Sequence, residues 1–189
     1  WNYAENKTLT AKFAKFTVTT TNLNANDTFQ FTMSAVGEFN VDCGDNGVLS
    51  SSTTDVSGNT ITRTNTTYAT YTCTYSTGGI KTIGFTGTAT AYNNSANVSG
   101  PQYAPIAFYN NTKLSSISGS LGAIFPTLGD SLSQQPRFIY TFQNCSGLTS
   151  LPSDLFAGVS GAAERMFDNT FSGCSGLTSL PSGLFACVS

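Results

Sequence analysis

Residues 141–160, TFQNCSGLTSLPSDLFAGVS, return 29 positions later as TFSGCSGLTSLPSGLFACVS at 170–189, identical at all but four of twenty positions. A unit this short cannot bury its own apolar face, so copies must stack and share a core that runs from coil to coil. Within each copy Leu148, Leu151 and Pro152 (Leu177, Leu180 and Pro181 in the second) lead into Leu155 and Phe156. The segment SGAAERMFDNTF then places Ala163, Phe167, Phe171 and Cys174 at intervals of three and four. That spacing predicts a strand, a turn and an amphipathic helix per copy. A worn first copy reads FYNNTKLSSISGSLGAIF at 108–125, with Phe108 matching Phe142, Leu114 matching Leu148, Ile117 matching Leu151 and Leu121 matching Leu155. The offset there is 34, and the excess falls in the polar stretch GDSLSQQPR at 129–137, which is expected to bulge from the stack before a helix restarts near Pro136.

The first half has a different period. Leu9, Ala11 and Phe13 alternate, and Phe16 and Val18 resume after a one-residue slip, as a bulged strand would. Phe29, Phe31 and Met33 form a second alternating run, which breaks at Gly37 and resumes with Phe39, Val41 and Cys43. GDNG at 44–47 marks a sharp turn, and Ser50 to Thr60 reads as a polar loop. Ile61, Arg63 and Asn65 restart the pattern, TYATYTCTY continues it, Gly78-Gly79 turns it, and Ile80, Ile83 and Phe85 carry it on. Short β runs without a helical period predict an antiparallel sandwich. The cluster YNNSANVSGPQYAP reads as a linker. The expected organisation is therefore multi-domain: an all-β antiparallel sandwich over 1–98, a linker at 99–107, and a short α/β repeat solenoid of about three coils over 108–189.

Two resemblances sharpen this reading. FNVDCGDNG followed by TYTCTYSTGGIKTIGFTG resembles the polycystic-kidney-disease (PKD) type of immunoglobulin-like domain over roughly 16–92, although Asn46 interrupts its Gly-Asp-Gly turn and Cys43 stands where that family prefers an aromatic. It implies an extracellular spacer or binding module. Met166, Phe167, Phe171, Cys174, Leu177, Leu180 and Pro181 resemble the BspA-type leucine-rich repeat, and the similarity covers roughly 106–189. That family is known mainly from bacterial surface proteins, which implies adhesion to host or matrix proteins and coaggregation.

Cysteine usage fits this placement. Cys43 and Cys73 each lie in a strand-like stretch at a separation that can clip two strands of one β domain. Cys145 and Cys174 occupy the same place in successive copies, so with Leu148, Leu177, Leu151, Leu180 and Phe171 they are expected to form an inward-facing ladder. Cys187 replaces the Gly158 of the preceding copy and is the candidate free or intermolecular thiol.

The sequence contains no His, so no Ser-His-Asp or Cys-His arrangement can be assembled and no enzyme is expected. Asp42 and Asp45 are the carboxylates nearest to a metal-binding pattern, but Gly44 and Thr53 stand where an EF-hand loop needs ligands, so turn geometry accounts for them. No metal or cofactor is expected. Glu164, Arg165 and Asp168 read as a solvated helix face, and the seven Asn-x-Ser/Thr sequons arise readily in so Asn- and Thr-rich a chain. With 10% charged residues and a net charge of −2, the chain offers no basic face for nucleic acid. No apolar run approaches the roughly 20 residues that span a bilayer.

A secreted or cell-surface location follows, with two functional expectations. One is a non-enzymatic, adhesin-type protein that binds a protein or glycan on another cell or matrix through its repeats. The alternative is a structural subunit. Ser189 falls in mid-repeat, and a chain complete at that point leaves Leu177, Leu180, Leu184 and Phe185 without a cap. Further copies of the chain would then cover that end head-to-tail and grow a filament, with Leu184, Phe185 and Cys187 at the joint and LTAKFAKFTV supplying an edge strand.

Overall fold

The structure is a computed structural model, and it describes residues 16–93, 95, 99–161 and 163–186. Among the described residues ten strands form: β1 (Phe16–Thr20), β2 (Thr28–Met33), β3 (Val36–Asp42), β4 (Val48–Ser51), β5 (Val56–Ser57), β6 (Thr60–Arg63), β7 (Ala69–Thr74), β8 (Thr82–Ala91), β9 (Ile106–Ala107) and β10 (Leu114–Gly119). Alternation places them. Phe29, Phe31 and Met33 of β2 point inward between polar neighbours, as do Ala69, Tyr71 and Cys73 of β7, so each strand has one apolar face to cover. One sheet runs β10-β1-β8-β3-β6-β5 and the other β4-β7-β2-β9, and every pairing between these strands is antiparallel.

The β-sandwich is thus present, and its limits differ from the expected ones. β9 pairs with β2 and β10 pairs with β1, so strands from 106–119 complete both sheets and the chain forms one two-sheet sandwich rather than two separate folds. The early alternation over Leu9, Ala11 and Phe13 lies outside the described residues. Gly37 is not a break between strands. It sits inside β3 at φ 146°, beside a register shift, where a Cβ would press on the Thr88 carbonyl at 2.7 Å. The polar stretch after Val48 contributes β4 and β5, two short edge strands that sequence alternation is too brief to reveal.

The α/β leucine-rich-repeat solenoid does not form. Among the described residues there is no α-helix, and beyond β10 the regular structure is a single 3₁₀ turn, Leu132–Gln134. The segment expected as a helix is a chain of tight turns instead. Met166 N donates to Ala163 O, Asp168 N to Arg165 O, Thr170 N to Phe167 O and Ser172 N to Asn169 O, each across three residues. Arg165 and Asn169 stand at φ 61° and 55°, in the left-handed region through which a right-handed helix cannot run. The remaining backbone groups bond between copies: Phe108 N to Thr141 O, Asn110 N to Gln143 O, Phe142 N to Thr170 O and Asn144 N to Ser172 O. Spacings of three and four serve such turns as well as a helix, because both bring every third or fourth side chain inward. The expected strands at 148–151 and 177–180 reduce to one isolated parallel bridge, Ser116 to Ser150.

One core runs through the molecule. Phe108 lies 6.0–6.2 Å from Phe16, Phe29, Phe31 and Phe85 of the sandwich, and its ring stacks on Phe142 at 5.6 Å. Phe142 stacks in turn on Phe171 at 5.6 Å, and Phe138 on Phe167 at 6.0 Å. The copies therefore lie ring on ring, and Phe108 joins them to the sheets.

Alternation assigns one pair of this core wrongly. Ile80, expected inward, is exposed, while Lys81 is buried. Arg63 is buried at the rim, where Nε donates to Ala35 O at 3.0 Å and Nη1 to Tyr71 Oη at 2.6 Å and to Asp55 at 3.1 Å. Burial pushes the Tyr71 phenol up to about 12, and burial likewise raises Tyr75 and Tyr92 above the ordinary phenol value of 10.0. The folded chain then holds protons that the unfolded chain releases above about pH 10, so this stability is complete below that pH and is lost as pH climbs through the folded-state values. In an alkaline titration these three phenols should ionise only as structure is lost. Ordinary tyrosinate absorbance from an intact fold would contradict this.

Arg137 is less well served. Its Nη1 donates to Ser95 O at 2.8 Å, but Nε and Nη2 are buried without a hydrogen-bond partner among the described residues. Burial lowers its pKa, and the carboxylate of Glu164 opposes this. One copy later the same position is Met166, also buried. Replacing a buried, half-satisfied charge by an apolar side chain of similar length is commonly stabilising, so Arg137→Met is expected to raise stability by about 1–3 kcal/mol. Chemical denaturation would check the sign, and a loss would show that the guanidinium has partners that keep it favourable.

Candidate functional site

The first expected residues lie around the β3–β4 turn. Cys43, just past β3, is bridged to Cys73 of β7 with Cα atoms 5.7 Å apart, so the disulfide ties one sheet to the other. Asp42 and Asp45 have separate employments. Asp42 Oδ1 accepts Gly44 N at 2.9 Å and shapes the turn, whereas Asp45 pairs with the Lys81 ammonium and accepts Thr77 Oγ1 at 3.2 Å. The hydrogen bond from Lys81 lowers the Asp45 carboxyl below its usual range. Lys81 Nζ also donates to Gly78 O at 2.9 Å and lies 5.3 Å from the Tyr75 ring centre, and Tyr75 Oη donates to Cys43 O at 2.9 Å. The cluster is a clamp for the turn. Among the described residues no three His, Cys, Asp or Glu side chains gather where they could hold a metal ion.

The repeat residues fall on both faces of the stack. Cys145 and Cys174 are buried thiols, and their Sγ atoms donate to Phe108 O at 3.1 Å and Phe142 O at 2.9 Å, one copy back in each case. Burial pushes Cys145 up to about 12 and raises Cys174, so neither is a ready thiolate. Leu148 is buried, Leu151 and Leu177 are half-buried, and Phe171 is half-buried against Phe142. Leu180 is 49% exposed rather than inward. Of the residues expected at an assembly joint, Leu184 is buried within the chain, Phe185 is 38% exposed with its ring stacked on Phe156 at 5.8 Å, and Cys187 lies outside the described residues. Gly147 and Gly176 let neighbouring copies approach, since a Cβ there would meet Thr112 O at 2.5 Å and Leu148 O at 2.6 Å.

Where the first copy meets β2, a polar cleft of about 210 Å³ opens between Thr28 and Gln30 on one side and residues 109–113 on the other. Asn111 Nδ2 donates to Gln30 O at 2.9 Å and its Oδ1 accepts Lys113 N at 3.0 Å, which fixes the loop against the strand. Lys113 Nζ donates to Thr28 O at 3.0 Å and lies 3.3 Å from Asp27. A backbone hydrogen bond at Asn24, aided by Lys113, holds the Asp27 carboxyl below its usual range, so a carboxylate stands against the Lys113 ammonium. Asn110, at φ 59°, accepts Asn144 Nδ2 on its Oδ1 at 2.8 Å, and Asn144 repeats its conformation at φ 58° one copy on. Tyr109 is 39% exposed at the cleft wall.

No known protein family, curated protein or solved structure matches the chain. The site must therefore be judged on its own chemistry. Among the described residues no helix is long and apolar enough to cross a membrane. The sequence alone does not announce this cleft, because FYNNTK reads as a worn repeat and its opposite wall, Thr28 and Gln30, lies some eighty residues earlier. The available signal was the run Tyr-Asn-Asn-Thr-Lys itself, an exposed aromatic followed by amides at a turn.

Proposed function

We propose that this chain is a non-enzymatic, adhesin-type binding module of the secreted or cell-surface space, which takes a protein or glycan partner at the seam between its sandwich and its repeats. The disulfide between the sheets is the observation that carries this reading. A Cys43–Cys73 bridge persists in an oxidising compartment and is reduced in most cytosols. The polar, aromatic-walled cleft supports binding, whereas two charged pairs elsewhere, each with a buried cation, serve the fold: Asp45 engages Lys81, and Asp55 engages Arg63 and Tyr71.

The test has two arms. Protein recovered from intact source cells should be accessible to impermeant surface label and should carry Cys43 and Cys73 oxidised. Beads coated with the purified chain should adhere to matrix- or cell-coated surfaces. Reduced cysteines in native material, or beads that adhere to nothing, would sink the reading.

A further inference from the structure

The cleft between β2 and residues 109–113 has a composition that favours one kind of ligand, and the inference rests on the binding role just proposed. Its charge is neutralised internally, because Lys113 is engaged by Asp27 and by the Thr28 carbonyl. An anionic ligand would have to compete with Asp27 for the ammonium. The remaining walls are amides, hydroxyls and one exposed aromatic ring. Asn110 accepts through Oδ1, which leaves its Nδ2 unengaged among the described residues. Gln30 donates through Nε2 to Thr72 Oγ1 at 3.3 Å, which leaves its Oε1 as an acceptor. A free amide donor, a free amide acceptor and the Thr112 hydroxyl suit a ligand whose groups both donate and accept, as vicinal hydroxyls do. Tyr109 adds a flat apolar face with a polar tip, on which the C–H face of a pyranose ring can lie. The backbone under this set is fixed: Asn110 N is bonded to Gln143 O, and the Asn110–Asn144 contact ties the loop to the next copy. Pre-formed walls suit a weak, small ligand, because little ordering accompanies binding.

We infer that the cleft binds a neutral hexose or N-acetylhexosamine residue of a glycan, with Tyr109 as the stacking platform and Asn110 and Gln30 as the hydroxyl-reading amides. The volume fits one sugar ring, so affinity for a monosaccharide is weak and useful adhesion comes from several copies on a surface acting together.

The experiment uses the 189-residue chain with glucose, galactose, N-acetylglucosamine and their short oligomers as probes, and sialic acid as the anionic comparison. Saturation-transfer NMR should show contact with a neutral sugar, and arrays of the multivalent chain should prefer neutral glycans. Tyr109→Ala should weaken this binding about five- to tenfold, the size of a lost ring-stacking contact, with an unchanged melting temperature because the side chain is exposed. Neutral sugars that fail to bind the unaltered chain overturn the inference, as does binding unaffected by Tyr109→Ala or a preference for sialic acid that depends on Lys113. Adhesion to glycan-free protein surfaces that survives Tyr109→Ala, with no sugar bound, overturns the sugar site and leaves the adhesin reading standing. Adhesion to neither kind of surface, with no sugar bound, removes both.

Discussion

Replacing Phe108 by Ala is expected to lower the stability of the whole chain by about 3–5 kcal/mol, the range for truncating a fully buried Phe. The ring is buried and surrounded by others on every side: Phe16, Phe29, Phe31 and Phe85 from both sheets, and Phe142 from the next copy. These neighbours are held by hydrogen-bonded strands and by the backbone bonds between copies, so they cannot collapse into the space that truncation leaves. The loss should therefore fall toward the upper end of that range, because the cost rises with the volume that stays empty. Phe108 is also the contact through which sandwich and repeats share a core, so the unfolding should remain one transition and shift as a whole. Phe171→Ala, at the next rung but one and only half-buried, should cost less. Urea unfolding of the two variants decides it. A loss below about 1 kcal/mol for Phe108→Ala, or a second transition appearing beside an unshifted first, would mean that the two regions are held together by something other than this ring.

The strands were legible where one face is buried over several residues. Phe29, Phe31 and Met33 announce β2, and Phe39 and Val41 announce β3, because period-two burial has no other local explanation. The repeat was legible as a stack of like residues, and Phe108, Phe142 and Phe171 do lie in register, but its secondary structure was not. A spacing of three and four says which side chains turn inward and nothing about where the backbone hydrogen bonds go. Here they go to the next copy, and left-handed Arg165 and Asn169 bend the chain out of any helix. Arg165 carries no turn signal, and Asn169, whose side chain tolerates that region, is the weaker sign of a turn without a glycine beside it. Buried Lys81 was not legible for a related reason: alternation puts Ile80 inward in its place, and its partners, Asp45 and the Gly78 carbonyl, come from separate turns. The cleft shares this character. Each wall is an ordinary polar segment alone, and only the pairing of β2 with β9 brings them together.

Loss of the Cys43–Cys73 bridge is expected to destabilise the fold by roughly 3–4 kcal/mol, from the chain entropy that closing a loop of this length removes from the unfolded state. The sequence separation is 30, and the Cα atoms are 5.7 Å apart, within the ordinary range for a disulfide, so the native sheets need not shift to accept it. The two half-cystines are themselves buried, Cys73 within β7 and Cys43 beside the turn that Asp42 and Lys81 clamp. Reduction therefore places two thiols in a space packed for a bridge while that clamp keeps the turn in place. The loss should appear mainly as a stability change rather than a change of fold. For a chain of this size it corresponds to a fall in melting temperature on the order of 10 °C. A Cys43→Ser, Cys73→Ser double variant should match the reduced protein to within the small effect of the hydroxyls, and Cys145 and Cys174 should stay unreactive to alkylation in both as long as the fold holds, because their sulfurs are buried and bonded to carbonyls one copy back. A melting temperature indifferent to reductant, with both cysteines shown to be reduced, would mean that the shared core and the turn clamp hold the sheets without the bridge, and the case for an oxidising compartment would lose its physical basis.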